Sequence, residues 1–235
     1  MTQEAIILAG GLGTRLKSVV ADLPKSLAPV AGKPFLEYLL EYAAQQGVHK
    51  FVFALGYKTE LIEAFVKSFL SPEQYSFSIE EQSLGTGGAI FKACSQIKNE
   101  HAFVLNADTF FGVDFSKLLA EHEHHKASCT LALKPMKSFD RYGAVDLNQE
   151  KQVTGFSEKK YLTEGLINGG VYTLQVKTFL QKTFPEVFSF EKDYLEKEYL
   201  NKNIFGMISD AYFIDIGIPE DYKRAQTELR LNLGI

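Results

Sequence analysis

The chain has 235 residues, is 46% hydrophobic and carries a net charge of −4 at pH 7, which suits one large core and excludes a general nucleic-acid or anionic-membrane surface. Any phosphate recognition must come from a local group of bases. No apolar run reaches about 18 residues, and no basic segment with a long apolar stretch opens the chain, so neither a signal peptide nor a membrane span is expected.

Residues 5–8 form an apolar run that reads as a buried strand, and a glycine loop follows at once: Leu8-Ala9-Gly10-Gly11-Leu12-Gly13-Thr14-Arg15-Leu16. Further strand-like runs at 51–55, 77–79 and 102–105 alternate with helix-period stretches at 35–46, 59–69 and 86–97. That alternation predicts βαβ units, an α/β fold with a mainly parallel sheet, and ligands at the carboxyl ends of the strands. From about residue 129 the rhythm changes to strand-like segments at 130–133, 143–147, 153–156, 169–174 and 211–214. Residues 188–200 and 219–231 read as helical, the latter with Pro219 in its first turn. A single domain spanning 1–235 is expected, its halves sharing one mixed sheet. Cys94 and Cys129 lack CxxC spacing, which suits core thiols in a reducing cytoplasm.

The loop after residue 8 reads as a polyphosphate site. Glycines without Cβ atoms leave backbone N–H groups free to converge on an anion, and Arg15 and Lys25 add a bidentate guanidinium and a point charge. Spacing excludes two better-known phosphate loops: Leu16 stands where the dinucleotide fingerprint needs a small residue, and Pro34 follows Gly32-Lys33 where a Walker loop needs Ser or Thr.

Asp108 and Asp215 each close an apolar strand-like run. Either alone fits a cap or a turn equally well. Converging beside the glycine loop, the pair would hold Mg²⁺, which takes one or two carboxylates plus phosphate oxygens and waters. No histidine, Ser-His or Cys-His grouping adjoins these motifs, so no general base is offered. An ionised phosphate monoester attacking the α-phosphorus of a nucleoside triphosphate needs none. It needs positioning and charge neutralisation. His122-Glu123-His124-His125 is read as a solvated helix end rather than a metal site.

At this point the chain resembles the sugar-1-phosphate nucleotidyltransferases. Their signature LAGGxGTRL, followed after a short stretch by PK, is matched by Leu8 to Leu16 and Pro24-Lys25. The segments Gln82 to Ala89, Asn106-Ala107-Asp108, Tyr142 to Val145, Phe156 to Lys159, Asn168 to Tyr172 and Phe213 to Pro219 follow in the family's order. The resemblance implies a Rossmann-like three-layer sandwich, with residues 1–128 serving mainly the nucleotide and 129–235 mainly the sugar phosphate. It implies catalytic Arg15 and Lys25, and a nucleotide site of Leu8, Ala9, Gly10, Gly11, Gly13, Thr14, Gln82 and Gly87. Gly143, Glu158, Lys159, Asn168 and Gly169 would serve the sugar phosphate, and Asp108 and Asp215 Mg²⁺.

Among the family, the chain looks most like bacterial guanylyltransferases acting on manno-configured sugars, which implies GTP and D-glycero-α-D-manno-heptose 1-phosphate as substrates. Mannose 1-phosphate, or a uridylyl or thymidylyl transfer to a hexose 1-phosphate, is the alternative within the family. Gln82 keeps the base open, since its amide presents a donor or an acceptor. A catalytically silent nucleotide-sugar-binding subunit is the alternative of another class.

Overall fold

The computed structural model describes residues 4–11, 20, 22–56 and 58–233. In chain order they form β1 (Glu4–Leu8), β2 (Pro29–Val30), β3 (Lys33–Pro34), α1 (Phe35–Gln45), β4 (Lys50–Leu55), α2 (Thr59–Phe69), β5 (Tyr75–Ile79), α3 (Gly85–Cys94), β6 (His101–Asn106), β7 (Thr109–Phe111) and α4 (Phe115–His124). The second half continues with β8 (Cys129–Phe139), β9 (Ala144–Leu147), β10 (Val153–Ser157), β11 (Leu162–Gln175) and α5 (Val176–Leu180). A π-helical turn, Phe190–Leu195, runs into α6 (Glu196–Glu198), followed by β12 (Ile204–Ile208), β13 (Phe213–Asp215) and α7 (Pro219–Leu233).

One mixed sheet joins the two halves in the order β10-β9-β11-β6-β1-β4-β5, with β8 and β12 attached through β11. Strands β6, β1, β4 and β5 are mutually parallel, and β11 enters antiparallel to β6. The central strands are apolar on both faces, as a sheet covered by helices requires. Ile7, Phe51, Phe53 and Leu105 meet α1, α2 and α4 on one face. Their neighbours Ile6, Val52, Ala54 and Val104 meet α3, α5 and the π-helical turn on the other. This period-two division makes the three-layer α/β sandwich.

A smaller third cluster holds the C-terminal helix. Ala225 and Leu229 of α7 pack with Val30, Phe35, Tyr38, Phe110, Ile214 and Ile216, so α7 clamps the β2–β3 hairpin to a separate two-stranded β7–β13 ribbon.

Three elements differ from the sequence expectation. Residues 204–208, not foreseen as a strand, pair parallel with β8; Gly206 interrupts the apolar run because a Cβ there would lie 2.5 Å from Leu133 Cδ1. Residues 188–200 contain π, α and 3₁₀ turns rather than one helix. His122 is fully buried, not solvated: it lies on the inner stripe of α4 with Phe115, Leu118 and Leu119, and its Nδ1 is 3.0 Å from Thr130 Oγ1. Burial, with the His101 ring beside it, pulls its pKa down to about 3. Both cysteines are free and buried, and burial pushes the Cys94 thiol up to about 12.

Candidate active site

The functional side chains gather at the carboxyl ends of β1, β5 and β6, where a parallel sheet opens its ligand crevice. Leu8 ends β1, Asn106 ends β6, and Glu80 directly follows β5. These residues, with Gly10, Gly11, Ala54, Ser83, Gly85, Thr86, Ala89 and Asp108, line a cleft of about 270 Å³. A Cβ on Gly11 would meet nothing within 4 Å. Among the described residues, no packing contact requires that glycine. A Cβ on Gly10, by contrast, would lie 3.2 Å from the backbone nitrogen of Gly56, so the β1 loop also needs close passage past β4.

A second cleft of about 280 Å³ is built by the other half of the sheet. Gly143, Glu158, Lys159 and Asn168, four of the five residues expected around a sugar phosphate, line it together with Ser189, Glu191, Lys192 and Glu196. Asn168 is fixed by the turn it makes: Nδ2 donates to the Tyr172 hydroxyl at 2.8 Å, and Oδ1 accepts from the Gly170 N–H at 3.1 Å. The register of β11 on β8 shifts between Asn168 and Tyr172, which lets Gly170 adopt φ +70° against Asn106 of the first cleft.

Between the β7–β13 ribbon and the β1 loop lies a charged centre. Lys25 begins a short 3₁₀ turn held by buried Leu27. Its Nζ donates to Asp108 Oδ2 at 2.7 Å and to Asp215 Oδ1 at 3.2 Å. Strand register makes this meeting possible: Asp215 pairs with Thr109, and the Ile216 N–H donates to the Asp108 carbonyl at 3.1 Å. The Gly217 N–H also donates to Asp215 Oδ1, at 2.7 Å. The lysine side chain is only 10% exposed, against 42% for Asp108 and 24% for Asp215, so the carboxylates are the accessible part of the centre. Among the described residues no group of three His, Cys, Asp or Glu side chains gathers as a metal site. Two carboxylates remain, the number Mg²⁺ takes when phosphates and water complete its shell.

Not every expected residue faces a cleft. Gly13, Thr14 and Arg15 lie outside the described residues. Ala9 is buried, its N–H donating to the Ala54 carbonyl at 3.0 Å. Gln82 is exposed and does not line the nucleotide-side cleft. Gly87 is buried, and a Cβ there would fall 2.2 Å from the Phe188 ring. Gly169 is likewise a packing glycine, its Cβ position 2.2 Å from Phe111.

Three cleft-lining carboxylates, Glu80, Glu191 and Glu196, are not among the residues expected from the sequence. Glu80 lines the first cleft and accepts from the Leu84 N–H at 2.7 Å. Burial raises its pKa against the pull of that hydrogen bond and of Lys92. Its position directly after a parallel strand was the available signal. Glu191 and Glu196 line the second cleft from the segment 188–200, where a helical pattern gives no sign of which side chains face a ligand.

A glycine-floored cleft and an acid-and-lysine cleft on one sheet, with a charged centre whose Asp108 lines the first of them, suit the joining of two phosphorylated substrates. A family model described as nucleotidyl transferase matches residues 4–231. The chain belongs to the nucleotidyl transferase family. Among its relatives, this nucleotidyl transferase is 50% identical over 227 residues to the D-glycero-alpha-D-manno-heptose 1-phosphate guanylyltransferase of Aneurinibacillus thermoaerophilus, covering 97% of this chain and 98% of the relative. It is 46% identical to the enzyme of the same name from Campylobacter jejuni, covering 93% and 96%. The crystal structure of HddC from Yersinia pseudotuberculosis complexed with GMP-PN superposes with a TM-score of 0.86 at 37% identity, covering 97% of this chain and 100% of that one.

Proposed function

We propose that this nucleotidyl transferase moves the guanylyl group of GTP onto D-glycero-α-D-manno-heptose 1-phosphate in the cytoplasm, releasing pyrophosphate and forming a GDP-heptose for surface-glycan synthesis. The observation that carries this reading is the position of Asp108: it lines the glycine-floored cleft and shares the Lys25 ammonium with Asp215. In this reading residues 1–128 serve mainly the nucleotide and 129–235 mainly the sugar phosphate. The two relatives above are named for this substrate, and the HddC structure carries a guanine nucleotide analogue.

In this reading a sugar-phosphate oxygen bonds to the α-phosphorus, the α–β bridging P–O bond breaks in line, and its electron pair leaves on pyrophosphate. The dianionic acceptor needs no base, and the clefts offer no histidine. Lys159 holds the acceptor phosphate, and Glu158 accepts from sugar hydroxyls. Gly10 and Gly11 admit the triphosphate to the end of β1, with Gly13, Thr14 and Arg15 continuing that grip. Lys25 stands at the α-phosphate and keeps the two aspartates together.

Magnesium fits the donor set, since hard oxygen ligands from two carboxylates leave room for phosphates and water; held by Asp108 and Asp215, it would neutralise charge on the reacting phosphates. Glu80 supplies what a guanine edge requires. Its carboxylate accepts from adjacent N–H donors, which uracil and thymine do not present as a pair.

Pyrophosphate release measured over a matrix of GTP, ATP, CTP, UTP and dTTP against heptose, mannose and glucose 1-phosphates tests the assignment. GTP with the heptose phosphate should give the highest kcat/KM. A preference for UTP or dTTP would overturn the base assignment, and tight nucleotide binding with no turnover on any pair would favour a silent binding subunit.

A further inference from the structure

Thr86 lines the first cleft and Glu191 the second, and a hydrogen bond joins them. Thr86 Oγ1 accepts from the Phe190 N–H at 2.9 Å and donates to Glu191 Oε2 at 3.0 Å. A hydroxyl has one proton to give. Because the backbone N–H can only donate and the carboxylate oxygen accepts, that proton is directed to the carboxylate. Ser189 Oγ donates to the same Oε2 at 3.2 Å, whereas Oε1 accepts nothing among the described residues.

The backbone around this contact is equally fixed. The Phe188 N–H donates to the Leu84 carbonyl, and the Gly87 N–H to the Phe188 carbonyl, both at 3.0 Å. A Cβ on Gly85 would lie 2.5 Å from the Phe188 oxygen. The start of α3 and the chain entering the π-helical turn therefore form one unit, and π turns concentrate at functional positions. Glu191 is carried by that unit into a cleft already holding Glu158, Lys159 and Lys192. A sugar ring carries hydroxyl donors around its whole edge, and one carboxylate cannot meet them all.

We propose that Glu191 binds hydroxyls of the sugar 1-phosphate and that Thr86, on the nucleotide wall, is its positioning residue, so that one hydroxyl couples the two substrate clefts. The inference rests on reading the second cleft as the sugar-phosphate site. Losing the Thr86 hydroxyl removes the shorter of the two bonds to Glu191 Oε2, leaving that of Ser189, and takes from the Phe190 N–H its acceptor. Losing the Glu191 charge removes the sugar contact itself.

The test compares Thr86→Val, Thr86→Ser, Glu191→Gln and the double variant Thr86→Val/Glu191→Gln on the sugar 1-phosphate that the unmodified enzyme turns over fastest. Thr86→Val and Glu191→Gln should each raise KM for the sugar phosphate by roughly 10-fold or more, and Glu191→Gln, a change in the lining of the second cleft, should move KM for GTP by no more than about 2-fold. Thr86→Ser should restore the unmodified value, and the double variant should be no worse than Glu191→Gln alone. Equal rises in both KM values in Glu191→Gln, failure of serine to rescue Thr86→Val, or multiplying single effects would overturn the coupling. An unchanged sugar-phosphate KM in Glu191→Gln would overturn the contact. Calorimetric titration of the unmodified protein with the sugar phosphates keeps the readings apart: no binding of any sugar 1-phosphate defeats the cleft assignment, whereas binding indifferent to Glu191→Gln defeats this inference alone.

Discussion

Lys25 Nζ lies 3.2 Å from Asp215 Oδ1, although 190 residues separate them in the chain. Two independent packing units must meet for this to happen, the 3₁₀ turn anchored by Leu27 and the β7–β13 ribbon clamped by α7. Removing the ammonium leaves two carboxylates facing each other and one positive charge fewer at the reacting phosphates. Lys25→Ala should lower kcat about 10² to 10³-fold in a pyrophosphate-release assay, the scale for one transition-state charge contact. Arg15→Ala should fall in the same range.

Asp108 and Asp215 should govern the metal dependence. Asp108→Asn and Asp215→Asn each halve the carboxylate content of the centre, so activity should need far more Mg²⁺ or be lost. A magnesium titration unchanged from that of the unmodified enzyme would remove the altered residue from the metal site.

Gly217 is required by the centre rather than by backbone conformation. A Cβ there would stand 2.8 Å from Asp215 Oδ1 and 2.9 Å from Lys25 Nζ, displacing both charged groups while leaving the ribbon's strand pairing in place. Gly217→Ala should therefore cut kcat by about 10-fold or more with a much smaller effect on thermal unfolding. Comparable losses of stability and activity would contradict this placement.

Glu80→Gln should weaken discrimination for GTP, because an amide offers one acceptor and one donor where the carboxylate offers acceptors only. The unmodified enzyme should also lose GTP affinity on acidification. Burial raises the Glu80 pKa, so its charge is lost as pH falls through a value above the ordinary glutamate range. KM for GTP measured against pH should rise earlier than model-glutamate titration predicts, and the dependence should vanish in the glutamine variant.

His122 predicts an acid-linked loss of stability. Its folded pKa is pulled from 6.5 to about 3, so between those values the unfolded chain binds a proton that the folded one excludes. Stability should fall as pH drops through that window, by at most about 1.4 kcal/mol per pH unit from this group. Denaturant unfolding of His122→Leu should show a shallower slope there.

The parallel half of the fold was legible because buried strands announce themselves as unbroken apolar runs, as in 51–55, and amphipathic helices by their stripes. Asp108 and Asp215 were legible as strand-end acids. Their convergence is implied by the family resemblance alone and not by the residues' own pattern, since it depends on the β7–β13 ribbon, whose strands have only three residues each. Gly87 and Gly169, which the resemblance implies as site glycines, each also make room for an aromatic ring of the protein itself, a packing demand that the sequence does not display. His122 was hidden by charged neighbours, although positions 115, 118, 119 and 122 follow helical spacing. Glu80 lies two residues before Gln82, and only its place directly after β5 indicates that its side chain lines the cleft.

The central claim is attack of a sugar phosphate on the α-phosphorus of GTP at the Lys25 centre, and the fate of isotopic label tests it most directly. With GTP radiolabelled at the α-phosphate, the label should appear in GDP-heptose; with the γ-phosphate labelled, it should appear in pyrophosphate. Release of γ-label as orthophosphate, or α-label recovered only as GMP, would contradict the account.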